Sequence, residues 1–362
     1  MDQNVIGIDA VHRGKAAGSV AEKLLKHGMS TAPLRPWIER NARGQDIGFF
    51  INQNGLAVPV ANATLRKEEW KHYDSAIIQV AMQRLVGVAD LNSRGLVYNI
   101  GNGLGTTVME YEDVSDVQGA QINMDGVTRG EADRPDYSIK YLPLPIIHGD
   151  FQVNIRALQA SRTRGSNLDT TIAEMKARKI AEKLEDMLFN GISGNYPFAG
   201  GNLYGYLTAP NRNTASFSVG HWNDSPTTAL DIVADVLAMK QALIADRMFG
   251  PYMVYVPTAY ETVLDEDYHS GTSGWNGGKT TRQRIRDIEG IQDVKVSDFL
   301  TADKVVMVQM TSDVVRMVNG LPLQTVEWDA MGGMVTYYKI MTIQVPQIRA
   351  DQEGHCGICV LA

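Results

Sequence analysis

Cysteine is almost absent from the 362 residues: Cys356 and Cys359 are the only two. One pair cannot staple a chain of this length, so a disulfide scaffold is excluded and a reducing compartment is expected. Long apolar runs are missing as well, none approaching the ~20 residues of a membrane-spanning helix, so no membrane partner is expected. The opening MDQNVIGIDAVHRGK lacks the basic segment and apolar core of a secretory signal. Positive charge is in deficit: 34 Lys and Arg against 41 Asp and Glu leave a net charge of -7, which argues against a generally basic nucleic-acid binder. What is present is 44% hydrophobic and 21% charged residues, enough apolar material for a sizeable core over two or three domains.

Residues 1–63 do not read as a compact domain. After a short helical candidate around 19–27 come Pro33, Pro36, Gly44, Gly48, Gly55 and Pro59, a density that breaks regular elements. Residues 1–44 hold seven basic and four acidic residues, a local excess of +3. A solvated tail is one reading. Trp37, Ile38, Phe49, Phe50 and Ile51 favour another, because burying each such side chain is worth ~1.5–3 kcal/mol. An arm lying on a partner subunit satisfies both facts.

A helix is expected over 64–86, with Trp70, Tyr73, Ile77, Val80, Ala81 and Leu85 on one face. Between 108 and 136 eight acidic residues face only Arg129 and Arg134, giving -6 in a stretch too polar to form its own core. It reads as a long two-stranded loop. The clearest helix is 168–190, with the stripe Ala173, Ala177, Ile180, Leu184 and Met187, a Thr171/Glu174 capping pair, and Gly191 as its stop. Glu185 and Asp186 on it read as solvated surface. From 227 the pattern alternates: helix 228–246, strand 252–256, a helix from 257, a Gly/Ser-rich loop 270–278, and strands at 294–296, 304–309 and 314–318. Strand-like segments 323–328, 336–345 and an apolar tail 358–361 follow.

Candidate chemistry fails on spacing. Gly101-Asn-Gly103-Leu-Gly105 is not the G-x-G-x-x-G fingerprint, and strand formers rather than a helix follow it, so a glycine bend is the better reading. His355-Cys356-Gly-Ile-Cys359 offers too few ligands for a structural zinc and sits in a strand-like tail, so buried structural cysteines are expected. The other histidines fall in no H-E-x-x-H spacing, and no G-x-S-x-G elbow occurs. No enzyme activity, catalytic residue, cofactor or metal is expected.

Four ordered segments carry a resemblance: Leu65-Arg-Lys-Glu-Glu-Trp70, then Tyr141-Leu-Pro-Leu-Pro-Ile-Ile-His-Gly-Asp-Phe151 ahead of Arg156, then the helix ending Glu185-Asp-Met-Leu-Phe189-Asn-Gly191, then Phe249-Gly-Pro-Tyr-Met-Val-Tyr-Val-Pro257. Together they resemble the encapsulin and tailed-phage major capsid proteins of the HK97-type fold. The resemblance implies an α+β architecture with an N-terminal arm (1–63), a P-domain (64–97, 141–226 with its spine helix 168–190, and a return 323–362), an E-loop (98–140), and an α/β A-domain (227–322). It implies a structural protein that self-assembles into pentamers and hexamers, forming an icosahedral head shell around phage DNA. The alternative is an encapsulin nanocompartment enclosing cargo enzymes. The long loop and the sixty preceding residues favour the virus. Expected partners are copies of the chain, a separately encoded scaffold (the chain begins with Met1), a portal, a decoration or cement protein, and packaged DNA in non-specific contact. Expected localisation is the virion, after assembly in the host cytoplasm.

Interfaces are expected at four places. The acidic Glu110, Glu112, Asp113 and Asp116 would meet the basic Arg156, Arg162, Arg164, Lys176, Arg178 and Lys179 of a neighbour, setting register more than affinity. The alternative is that each run is simply solvated. Arg282, Arg284 and Arg286, after the 270–278 loop, would lie near neighbours at the capsomer axis. Trp37, Phe49 and Phe50 would anchor the arm. No lysine lies between Thr106 and Ile139, so the lysine–asparagine crosslink of some capsids of this fold is not expected.

Overall fold

The computed structural model describes residues 37–40, 46–51, 57–60, 86–114, 124, 137–156, 171–192, 201–269, 275–300, 303–330 and 334–362. Before residue 61 the description is of backbone: β1 (Trp37–Arg40), β2 (Asp46–Ile51) and β3 (Ala57–Val60) form an antiparallel meander with Trp37 opposite Phe49. The helix expected at 64–86 lies almost wholly outside the described residues. Helix α1 (Val86–Ser93) leads into β4 (Val97–Asn99). Strands β5 (Val108–Val114) and β6 (Tyr137–Pro143) make the expected two-stranded ribbon, Val108 opposite Pro143 and Val114 opposite Tyr137.

Strand β7 (Ile147–Asn154) precedes the long helix α2 (Thr171–Asn190). Its apolar stripe is buried as the spacing requires, and Gly191, at φ 71°, ends it in the left-handed region open to glycine. Next come β8 (Asn213–Ala215), α3 (Ala229–Ala245), β9 (Tyr252–Pro257), the one-turn α4 (Glu261–Asp265), β10 (Asp267–His269), β11 (Trp275–Thr280), α5 (Thr281–Arg286), β12 (Ile291–Ser297) and β13 (Val305–Gln309). Part of the expected 270–278 loop is thus strand, since β11 pairs with β10 and satisfies its backbone there. Last are β14 (Val315–Ala330), β15 (Val335–Ile348) and β16 (Ile358–Leu361).

Strands β9, β13 and β16 are apolar without alternation and buried throughout, the pattern of strands covered on both faces. They form the centre of a five-stranded sheet ordered β12-β9-β13-β16-β8. Alternate residues serve two cores. Tyr252, Val254, Val256, Val305 and Met307 face a cluster with α3 and α5 (Ile232, Val236, Met239, Ile285). Met253, Tyr255, Val306 and Val308 face a second cluster with Leu188 and Phe189 of α2 and with Val318 and Ile340. A four-stranded sheet, β4-β14-β15-β7, carries α2 across β7 and β15.

Two expectations need correction. Segments 314–318 and 323–328 are one strand, β14, irregular between Asn319 and Gln324, where Gly320 and Pro322 interrupt the pattern. Strand β16, expected with the return 323–362 beside the long helix, instead pairs with β13 and β8 in the five-stranded sheet. The glycine bend reading of 101–105 is supported by contact: a Cβ on Gly103 would lie 2.2 Å from the Gly320 carbonyl oxygen, so two backbones meet there at the irregularity in β14.

Candidate assembly surfaces

The ribbon has two unlike faces because a strand alternates. Glu110 and Glu112 of β5 share one face with Tyr137, Ile139 and Tyr141 of β6, and all five are exposed. Tyr137 and Ile139 are each 57% exposed, a high figure for side chains of this size. The other face turns to the body: Met109 and Tyr111 pack on the core, and buried Asp113 pairs with Lys140. The single acidic run read from the sequence therefore splits. Glu110 and Glu112 point outward, Asp113 is committed within the chain, and Asp116 lies outside the described residues. At the ribbon's base a cavity of about 440 Å³ opens between Tyr111, Tyr141, Tyr204, Lys140 and Asn202.

Helix α2 buries Ala173, Ala177, Ile180, Leu184 and Met187 and exposes Ile172, Met175, Lys179 and Lys183. Its basic residues have partners in the helix. Lys179 lies 2.6 Å from Glu182, Arg178 3.6 Å from Glu182, and Lys183 2.8 Å from Asp186. Such pairs are worth a few tenths of a kcal/mol, about 0.2–0.5, so a competing carboxylate could replace them cheaply. Lys176 is partly buried above Gly149, and Arg156 is exposed at the end of β7. Arg162 and Arg164 lie outside the described residues.

The three arginines of α5 turn back onto their own unit. Arg282 reaches Asp265 at 3.3 Å, Arg284 sits 6.0 Å from the Tyr268 ring, and the Arg286 Nε donates to Asp293 at 2.6 Å. Trp37, Phe49 and Phe50 are on the β1–β2 pair, but their side chains lie outside the description.

Two features escaped the sequence reading. Helix α3 is apolar on its outer side too: Leu230, Ala234, Leu237, Ala238 and Ala245 are exposed with only Gln241 among them. Their spacing forms one stripe, and Leu230 and Leu237 are 48% and 47% exposed. The available signal was that the charges of this segment, Asp231, Asp235 and Lys240, leave positions 230, 234, 237, 238 and 245 apolar, and a helix apolar all round is normally covered all round. The second is Glu185, read as solvated surface but only 1% exposed. Its carboxylate accepts from the Gly87 amide at 2.6 Å and the Val88 amide at 3.2 Å, satisfying the open N-terminus of α1. Periodicity placed it on the buried side of α2, next to Leu184 and Leu188. The reading followed its charge instead.

The cysteines are free and buried, and burial pushes the thiols up to about 11 for Cys356 and about 12 for Cys359. They are thiols at neutral pH and pack as small apolar groups. Asp351, Glu353 and His355 bring their ligating atoms within 4.8 Å of one another, with Asp351 bonded to both the ring and the amide of His355.

Among known proteins, a model for a family of unknown function, DUF6260, matches residues 60–360. The type 1 encapsulin shell protein EncA of Myxococcus xanthus (strain DK1622) is 28% identical over 208 residues, a stretch that is 58% of this chain and 66% of that protein. The virus-like particle from Pyrococcus furiosus superposes with a TM-score of 0.59 at 16% identity, covering 82% of this chain and all of that one. The capsid of Myoviridae phage XM1 gives 0.56 at 11% identity over 73% of this chain and 88% of that one. The capsid of a native GTA particle, computed with C5 symmetry, gives 0.52 at 12% identity over 74% and 88%. The architecture is the HK97-type fold.

Proposed function

From the premise that the chain belongs to DUF6260, a family of unknown function, and carries the HK97-type fold, we propose that it is a structural shell subunit that self-assembles, and specifically the major capsid protein of a phage head. The observation that carries the reading is the outward ribbon face, where Tyr137, Ile139 and Tyr141 stand exposed beside Glu110 and Glu112. An apolar patch rimmed by one sign of charge is a contact surface. Its complement is on α2 of another copy, where Ile172 and Met175 are exposed beside Lys179. Charge would set the register, and the apolar residues would supply most of the affinity. The exposed stripe of α3 gives a second face for copies to cover. In this reading the ribbon is the E-loop, α2 the spine helix, and the five-stranded sheet with α3 and α5 the A-domain. Pentamers and hexamers close the shell around DNA, with a separate scaffold and a portal as partners, in the virion after assembly in the host cytoplasm.

The similarity to an encapsulin shell protein supports a second reading, a nanocompartment around protein cargo. Negative-stain microscopy of the full chain expressed alone tests the assembly claim. Closed shells, tubes or rings are expected, and a chain that stays monomeric with scaffold co-expressed as well as alone would end it. Particles holding nuclease-protected DNA in an infected host favour the capsid. Uniform small particles with one co-purifying enzyme inside favour the nanocompartment. Replacing both Glu110 and Glu112 by Lys is expected to leave a folded monomer by circular dichroism but to abolish shells. Normal shells from that variant would remove the ribbon from the interface.

A further inference from the structure

Helix α1 is held at its N-terminus and again one turn on by buried charge. At its N-terminus the amides of Gly87 and Val88 donate to the two oxygens of Glu185 on α2. One turn on, buried Asp90 accepts from the Tyr255 hydroxyl of β9 at 2.9 Å and pairs with Lys295 of β12. So α1 ties the long helix to the five-stranded sheet through two carboxylates. Their surroundings differ. Asp90 has a cation of its own in Lys295. Glu185 has none among the described contacts, only amide dipoles, and Asp90 itself lies close enough to oppose its charge.

We propose that Glu185 is a proton-operated clasp: ionised, it grips the N-terminus of α1, and protonated, it lets go and frees α1 to shift against α2. The reasoning is one of need. A carboxylate buried to 1% exposure must have donors, and the first amides of α1, at the positive end of the helix dipole, are the donors provided. A neutral carboxyl needs fewer donors: its carbonyl oxygen still accepts, but its hydroxyl oxygen is a poor acceptor, so one amide loses its partner. Among the described residues, the groups facing Glu185 from each packed element are Asp90 on α1, with Lys295 of β12 behind it, Tyr255 on β9, and Tyr206 on the loop that follows α2. Both tyrosines are pushed well up by burial and stay neutral, so they do not titrate in competition. Burial first, and Asp90 second among the raising influences, bring Glu185 up to about 7 against the pull of the amides. Stability from this group is full at acid pH and is lost as pH rises through about 7, because the ionised form is the costly one in the fold. The two states therefore exchange near neutrality, and the exchange reaches the contact between α2 and the five-stranded sheet.

Two measurements on the full-length chain test this, and neither depends on whether it forms shells. The infrared band of a protonated buried carboxyl should grow on acidification with a midpoint near 7 and be missing in Glu185→Gln. Amide hydrogen exchange in residues 86–93, corrected for the intrinsic pH dependence, should speed up about tenfold across the same midpoint, as for loss of one charge-assisted hydrogen bond. Asp90→Asn, which removes the opposing charge, should lower both midpoints together, and it serves where Glu185→Gln fails to fold. A carboxyl that stays ionised to about pH 5, or protection of α1 that does not change across the carboxyl midpoint, would overturn the clasp.

Discussion

Single residues show most clearly where a local pattern suffices. Thr228 and Asp231 cap α3 as a pair: the Asp231 carboxylate accepts from the Thr228 amide at 2.9 Å and from its hydroxyl at 2.6 Å. Those bonds hold the Asp231 carboxyl below its usual range. A depressed carboxylate contributes stability above its unfolded pKa and loses it as pH falls through the folded one. Asp231→Ala should therefore cost about 1 kcal/mol at neutral pH, and thermal melts of variant and wild type should converge in acid. Asp235, one turn further, is a buried acceptor for the Trp222 indole and the Ser218 amide, both at 2.9 Å. Asp235→Ala leaves two buried donors unmet and should cost about 2–3 kcal/mol in urea unfolding, with Asp235→Asn milder because it keeps one acceptor oxygen. A cap is local and can be read from spacing. The partners of Asp235 are 13 and 17 residues away across a loop, and those of Glu185 nearly a hundred, so none is visible in a window of sequence.

At the scale of elements, periodicity carried furthest where an element is long and has one purpose. Helix α2 was legible from five apolar positions and a terminal glycine. The ribbon was legible from its lack of core material, but its division into two faces needed the register: Glu110 opposite Tyr141 and Glu112 opposite Ile139. That register makes Asp113 different in kind from its neighbours. Asp113→Lys would place two amines together in a buried site and should destabilise the ribbon base by about 3 kcal/mol, a folding defect, whereas the outward glutamates should alter assembly alone. Helix α3 gives the complementary test. Leu237→Lys on its exposed stripe should leave the melting temperature within a few degrees and yet reduce shell yield, read by sedimentation. Equal yields would mean that this face stays open to solvent in the assembly.

For the whole molecule, the legible part is the α/β alternation after 227 and the illegible part is which sheet each late strand joins. Strands 315–330 and 335–348 make a hairpin by proximity, but residues 358–361 cross over to lie between β13 and β8. Sequence patterns give the period of a strand and not its neighbours. That crossing also gives the chain a seal made late. Strand β8 reaches the five-stranded sheet only through β16, so a polypeptide synthesised as far as residue 350 still has β13 bare along one side and β8 without a place. Both clusters that meet at this sheet draw on the same four residues, with Ile358 and Val360 on one side and Cys359 and Leu361 on the other. A prematurely ended copy is thus unfinished in two cores at once.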